Sequence, residues 1–377
     1  MLFRDIAGQT ELKNKLTATV KEGRIGHAQM FEGKAGYGNL ALAIAYAQYM
    51  LCACKKDDDS CGECPACKKC NALAHPDLHF VFPVNSSKAG AKAYDKISDY
   101  FMKDWRKTIS EKIYFTEQDW YDVIGIGTKQ GNINACETDR IIAKLNVKPY
   151  ESEYKIMIIW LPERMNETSG NRLLKLTEEP PANTFFIFVT ETSDHVLKTI
   201  RSRTQRVKVP PVKESAIAES LRNKGMREKD IFTASRLSEG DYLKALEIAE
   251  SRDNKSEYFE YFVDLMRAAY SDNIPELLNC AEELSSMGRE KQKAFLTFSL
   301  HIIRESFMLN QKLEDLVYLG YEELEWARKF SPFINRNNIS KLYDLINICI
   351  PQISRNANAK IVFTDLALRM KALIRPK

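Results

Sequence analysis

Four short runs of apolar and β-branched residues, "AQMFE", "DLHFVFPV", "YKIMIIW" and "TFFIFVT", mark the first half of the chain, with stretches of helical spacing between them. This alternation predicts a parallel sheet with helices on both faces. Residues 10–22, "TELKNKLTATVKE", have the spacing of a helix that stops at Gly23, and "NLALAIAYAQYML" reads as an apolar helix. After "QRVKVPP" the strands stop, Pro210 and Pro211 mark a boundary, and nearly everything beyond has helical period: "KESAIAESLRNKG", "EKDIFTASRLSEG", "KSEYFEYFVDLMRAAYS", "REKQKAFLTFSLHIIRESFML" and "NAKIVFTDLALRMKALIR". The pattern predicts an α/β domain over 1–208, a small helical domain over 209–252 and a helical domain over 253–377. Residues 85–130 are dense in aromatics and follow neither period cleanly, which leaves open an elaboration packed on the α/β domain or a docking surface for a partner.

A length of 377 residues fits two or three domains, and 44% hydrophobic with 28% charged residues is the composition of a globular protein. The net charge of +4 permits contact with nucleic acid without arguing for it. No run approaches about eighteen consecutive apolar residues, and "MLFRDIAGQTELKNKL" lacks the regions of a signal peptide, so a cytoplasmic location is expected and no membrane partner.

Between the first strand and its helix stands "GKAGYGNL". A working phosphate loop has Gly, four residues, Gly, Lys and Ser or Thr: backbone N–H groups cradle the phosphates, Lys reaches the outer ones, and the hydroxyl ligates Mg²⁺. Gly33 and Gly38 keep the spacing, but Asn39 occupies the Lys position and Leu40 the hydroxyl position. Lys34 lies inside the loop and is no substitute. On its own the segment reads more simply as a Gly-rich strand-to-helix turn.

Six of the nine cysteines fall between Cys52 and Cys70. Cys52, then Cys61, Cys64 and Cys67 at successive C-x2-C spacings, can close a tetrahedron around Zn²⁺, and four thiolates leave no open position, which makes such a site structural. Cys54 and Cys70 remain possible alternative ligands. The run from Cys61 to Cys70 resembles iron–sulfur spacing without its C-x3-C-Pro ending, and free thiols are the third alternative. His75 and His79 in "AHPDLHF" read as strand entry and are not counted as ligands.

Taken together, "FRDIAGQTELKNKL", "GRIGHAQMFEGKAGYG", the cysteine module of residues 52–70, "HPDLHFVFP", "NRLLKLTEEPPANTFFIFVT" and "TIRSRTQRVKVPP" resemble the bacterial clamp-loader ATPases of the AAA+ class, part of the DNA polymerase III holoenzyme. The resemblance runs over most of residues 1–250 and weakens across 85–130 and the C-terminal third. It implies a P-loop-type α/β domain, a helical lid and an all-α collar. In active members the strand written here "KIMIIW" ends in Asp-Glu; Trp160 and Leu161 stand there, with Glu163 read as a surface acid at a helix start. In "GDYLKAL" Leu243 takes the place of the Arg that touches the γ-phosphate. An apolar pair cannot hold a hydrated metal ion.

The resemblance therefore implies a member that neither binds Mg-ATP productively nor hydrolyses it. Ser202 and Arg203 of "TIRSRTQ" match a motif whose Arg reaches the neighbouring subunit's γ-phosphate, with Thr204 in place of the motif's Cys; otherwise Arg201, Arg203 and Arg206 are a basic strand edge. The implied partners are the gamma/tau and delta subunits of the clamp loader and, through them, the sliding clamp and primer-template DNA. Two other readings stay open: an active gamma/tau-type ATPase, and a zinc-dependent nucleic-acid-binding module.

Overall fold

The computed structural model describes residues 1–85, 97–127, 129–250, 257–271 and 273–374. Residues 86–96 and 128 of the aromatic-rich segment, 251–256 at the boundary expected near 252, and 375 at the end of the last expected helix lie outside the described residues. The chain divides into two compact units, one of residues 1–224 and 238–246, the other of 225–237 and 247–377. Residues 209–252, set apart in the sequence as one small helical domain, are thus shared between them.

The first unit is built on five strands: β1 (Ala28–Glu32), β2 (Leu78–Val81), β3 (Lys155–Trp160), β4 (Thr184–Thr190) and β5 (Gln205–Lys208). They lie in the order β2-β3-β4-β1-β5, all parallel. Parallel strands need crossovers, and here helices supply them. In chain order the helices used below are α1 (Thr10–Lys21), α2 (Asn39–Leu51), α3 (Pro65–Asn71), α4 (Met102–Glu111), α5 (Glu117–Val123), α6 (Ala135–Leu145) and α7 (Glu167–Glu178).

Period-two burial divides the sheet's side chains. Met30, Met157, Ile159, Phe186 and Phe188 form one core with Ile141 and Leu145 of α6 and Leu173 of α7. Every residue of α2 is buried, as its all-round apolar sequence requires, because a helix without a polar face has to sit inside. Each large side chain so buried contributes about 1.5–3 kcal/mol.

The second unit is helical: Glu228–Leu237, Glu257–Ser271, Ile274–Ser286, Arg289–Asn310, Tyr321–Phe330, Ile339–Ser354 and Ala359–Ile374. Its core includes Phe262, Phe295, Ile302, Leu342, Ile346 and Phe363. Among the described residues no helix is long and apolar enough to cross a membrane.

Candidate functional site

The parallel register brings the carboxyl ends of the central strands together, with Glu32 paired to Thr190 and Lys208, and Trp160 paired to Val189. Open parallel sheets bind ligands at this edge, and the glycine loop leaves β1 there. Gly38 has φ +86°, a left-handed conformation suited to a residue without a side chain, and it opens α2. The frame of a phosphate loop is therefore present in three dimensions as well as in spacing.

Its interior is turned to other use. Asn39 Nδ2 donates to the carbonyls of Gly33 (2.5 Å) and Thr190 (3.1 Å), and its Oδ1 accepts from Leu40 N–H (2.7 Å). The Gly33 N–H donates to the same Thr190 carbonyl at 3.1 Å. The side chain in the Lys position thus ties the loop to the end of β4, and Leu40 is buried in the core. Gly36 is crowded by the carboxylate of Asp241: a Cβ on Gly36 would lie 1.7 Å from its Oδ1. That oxygen also accepts from the N–H groups of Leu243 (3.1 Å) and Lys244 (3.2 Å), so Leu243 contributes backbone here.

At the end of β3, Trp160 is 4% exposed and belongs to an aromatic cluster. Its ring lies 5.3 Å from both Trp105 and Phe115; Trp105 in turn stacks on Phe82 at 4.1 Å and meets Trp120 at 5.0 Å. Leu161 is buried as well. The described part of the aromatic-rich segment therefore packs onto the α/β unit where the acids of the active pattern would stand. Arg164 and Glu117 clamp it there through two bonds of 2.6 Å, a bidentate charge-assisted pair.

Glu163 corrects one expectation. It is not a surface acid: Pro162–Arg164 form a turn of 3-10 helix, Oε2 of Glu163 is buried without a partner among the described residues, and burial raises the carboxyl to about 7.

The basic edge near β5 is internally paired. The Arg203 guanidinium bonds Glu178 at the end of α7, the Thr199 carbonyl (3.0 Å) and Ser202 Oγ (3.2 Å), and its side chain remains 34% exposed. Arg201 pairs with Asp194 and Arg206 with Glu32.

The Sγ atoms of Cys52, Cys61, Cys64 and Cys67 all lie within 4.8 Å of one another, close enough to hold a metal ion. Three of the separations are 3.6, 4.0 and 3.8 Å; a tetrahedron with Zn–S bonds of about 2.3 Å has edges of about 3.8 Å. Local sequence builds the site. Gly62 at φ +80° turns the chain after Cys61, and Cys64 caps α3 with Pro65 at its first position. The N–H groups of Cys61, Cys64 and Cys67 donate to Sγ of Cys52, Cys61 and Cys64 at 3.3–3.4 Å, as expected of groups that orient thiolate ligands. Cys54 is exposed, Cys70 is buried, and neither belongs to the four; nor do His75 and His79.

Sequence reasoning missed Tyr114, Asp241 and the Arg164–Glu117 clamp. Aromatic density was the available signal for the first, but no spacing rule connects Tyr114 to Gly38 or Asp241 to Gly36.

A parallel α/β unit with a glycine loop at its strand ends, in which Asn39 and an aromatic cluster around Trp160 stand beside that loop, has the frame of a nucleotide-loop protein. The chain belongs to the family described as "DNA polymerase III, delta subunit", whose profile matches residues 8–213. It is 28% identical over 235 residues to the DNA polymerase III subunit delta′ of Haemophilus influenzae, covering 62% of this chain and 58% of that one. With the delta′ subunit of Bacillus subtilis it shares 27% identity over 213 residues, 56% and 51% of the two chains. The chain thus spans little more than half the length of these curated relatives. A DNA polymerase III subunit gamma/tau of Mycobacterium tuberculosis matches at 25% over 202 residues, 54% and 27% of the two chains. A gamma subunit-related protein of Thermotoga maritima covers 96% of this chain and 99% of its own at 15% identity, with a TM-score of 0.35, too loose a likeness to bear on function.

Proposed function

We propose that this chain is a non-hydrolysing, delta′-type subunit of the bacterial clamp loader, a stator that helps load the sliding clamp onto primer-template DNA. The observation that supports this most is the Asn39 side chain, turned inward onto Gly33 and Thr190 where an active loop needs a free cation. Burial of Trp160 points the same way. The family's gamma/tau and delta subunits are the partners of this reading. In this reading an α/β AAA+ domain (1–208) is followed by a lid (209–252), whose residues the two compact units share, and by an oligomerising collar (253–377), and its setting is the cytoplasm. Cys52, Cys61, Cys64 and Cys67 hold a structural zinc ion, for which the Sγ separations and N–H donors supply the support.

In this reading Arg203, beside Ser202, serves a catalytic site on the neighbouring subunit. Its guanidinium is partly exposed and rests on one carboxylate, Glu178, that a phosphate group can displace. A guanidinium supplied in trans is worth roughly 10³–10⁵ in rate. The test is clamp- and DNA-stimulated ATP hydrolysis by a reconstituted loader carrying wild-type chain or Arg203→Ala. Turnover is expected to fall at least about tenfold with assembly intact; unchanged turnover in an assembled complex removes the finger and leaves a scaffold. Mg²⁺-dependent ATP turnover by the isolated chain would instead support an active ATPase of the gamma/tau type.

A further inference from the structure

Two adjacent residues of the aromatic-rich segment reach the strand-end edge, one at the end of β3 and one at the glycine loop. Phe115 meets Trp160, and Tyr114 enters the space beside the loop. Tyr114 is 7% exposed. Its Oη accepts the Ala7 N–H at 2.9 Å, its Cε1 would stand 3.1 Å from a Cβ on Gly38, and its ring lies 4.7 Å from that of Tyr242. Tyr242 is itself fixed by a hydroxyl contact with Ser220 at 2.7 Å. One side chain therefore bridges the N-terminal segment, the glycine that opens α2, and the helix that begins at Tyr242.

We infer that Tyr114 is the resident occupant of the vestigial loop: the segment Ser98–Val123 is an internal plug that fills the place of a nucleotide and joins the parts a nucleotide would join. This rests on the non-hydrolysing reading and deepens it. Three features fit an occupant better than an incidental core contact. The ring packs over Gly38, where the first N–H groups of α2 would meet a phosphate. The Asp241 carboxylate beside Gly36 adds a negative charge that opposes any entering phosphate. The plug is also anchored independently, through Arg164–Glu117 and the Trp105–Trp160 cluster, so that Tyr114 is carried by a rigid support.

The experiment uses the full chain as wild type, Tyr114→Phe and Tyr114→Ala. The Phe variant keeps the packing and loses only the hydroxyl. Amide exchange in a peptide covering residues 3–9 is expected to accelerate about five- to tenfold, the worth of one hydrogen bond, while peptides from the helical unit stay unchanged. The Ala variant is expected to bind 4-methylphenol, a copy of the missing side chain, and to recover thermal stability when it does; wild type binds none. Unaltered exchange in Tyr114→Phe overturns the plug, as does a Tyr114→Ala chain as stable as wild type and indifferent to 4-methylphenol. Two nucleotide assays separate the two ideas: micromolar ADP binding to wild type, or unaltered exchange in Tyr114→Phe, defeats the plug alone, whereas Mg²⁺-dependent ATP turnover by wild type defeats the non-hydrolysing reading on which it rests.

Discussion

Replacing Glu163 by Gln tests the electrostatics of the vestigial site directly. Burial lifts this carboxyl from an ordinary 4.5 to about 7, so the folded state holds a proton there that the unfolded state has released. For an acid whose value is raised on folding, the stabilising contribution is complete below about 4.5 and is lost as pH rises through about 7. At 1.36 kcal/mol per tenfold change in proton affinity, ionisation at pH 8 costs roughly 3 kcal/mol. Gln is neutral throughout and close in shape. The variant should match the wild type near pH 4.5 and exceed its stability by about 2–3 kcal/mol at pH 8, the difference opening between pH 5 and 7. Urea unfolding of both proteins at half-unit pH steps, followed by tryptophan fluorescence, reads this out; Trp105, Trp120 and Trp160 lie together in the α/β unit and report on it. A difference that stays flat from pH 5 to pH 8 refutes the reasoning.

Three further outcomes concern the cysteine cluster and the aromatic cluster. Purified chain should carry one zinc per molecule by elemental analysis, and Cys64→Ser or a strong chelator should release it and lower stability by several kcal/mol; a metal-free chain of equal stability disposes of the zinc site. Trp160→Ala should cost about 3–5 kcal/mol, because the cavity is bounded by Trp105 and Phe115. Trp160→Asp, which restores an acid to that position, should destabilise further without conferring ATP hydrolysis, since Asn39 and Leu40 still lack a cation and a hydroxyl. Both are checked by unfolding curves and a phosphate-release assay.

The features legible in the chain alone are those of local spacing. Strand periodicity located the sheet, Gly33 and Gly38 located the loop, and the C-x2-C pattern selected the same four cysteines that the fold gathers, because ligands a few residues apart are held near one another by the chain itself. The absent cation and acids were legible for the same reason: each is one residue at one fixed offset. What stands in their place depends on contacts between residues far apart in the chain. Tyr114 reaches Ala7 across 107 positions, and Asn39 reaches Thr190 across 151. Glu163 looks like any polar residue in a turn until the neighbouring elements close over it and raise its carboxyl to about 7. Such contacts have no period, since they arise from packing between elements distant in the chain, and that packing turned an empty loop into a filled one.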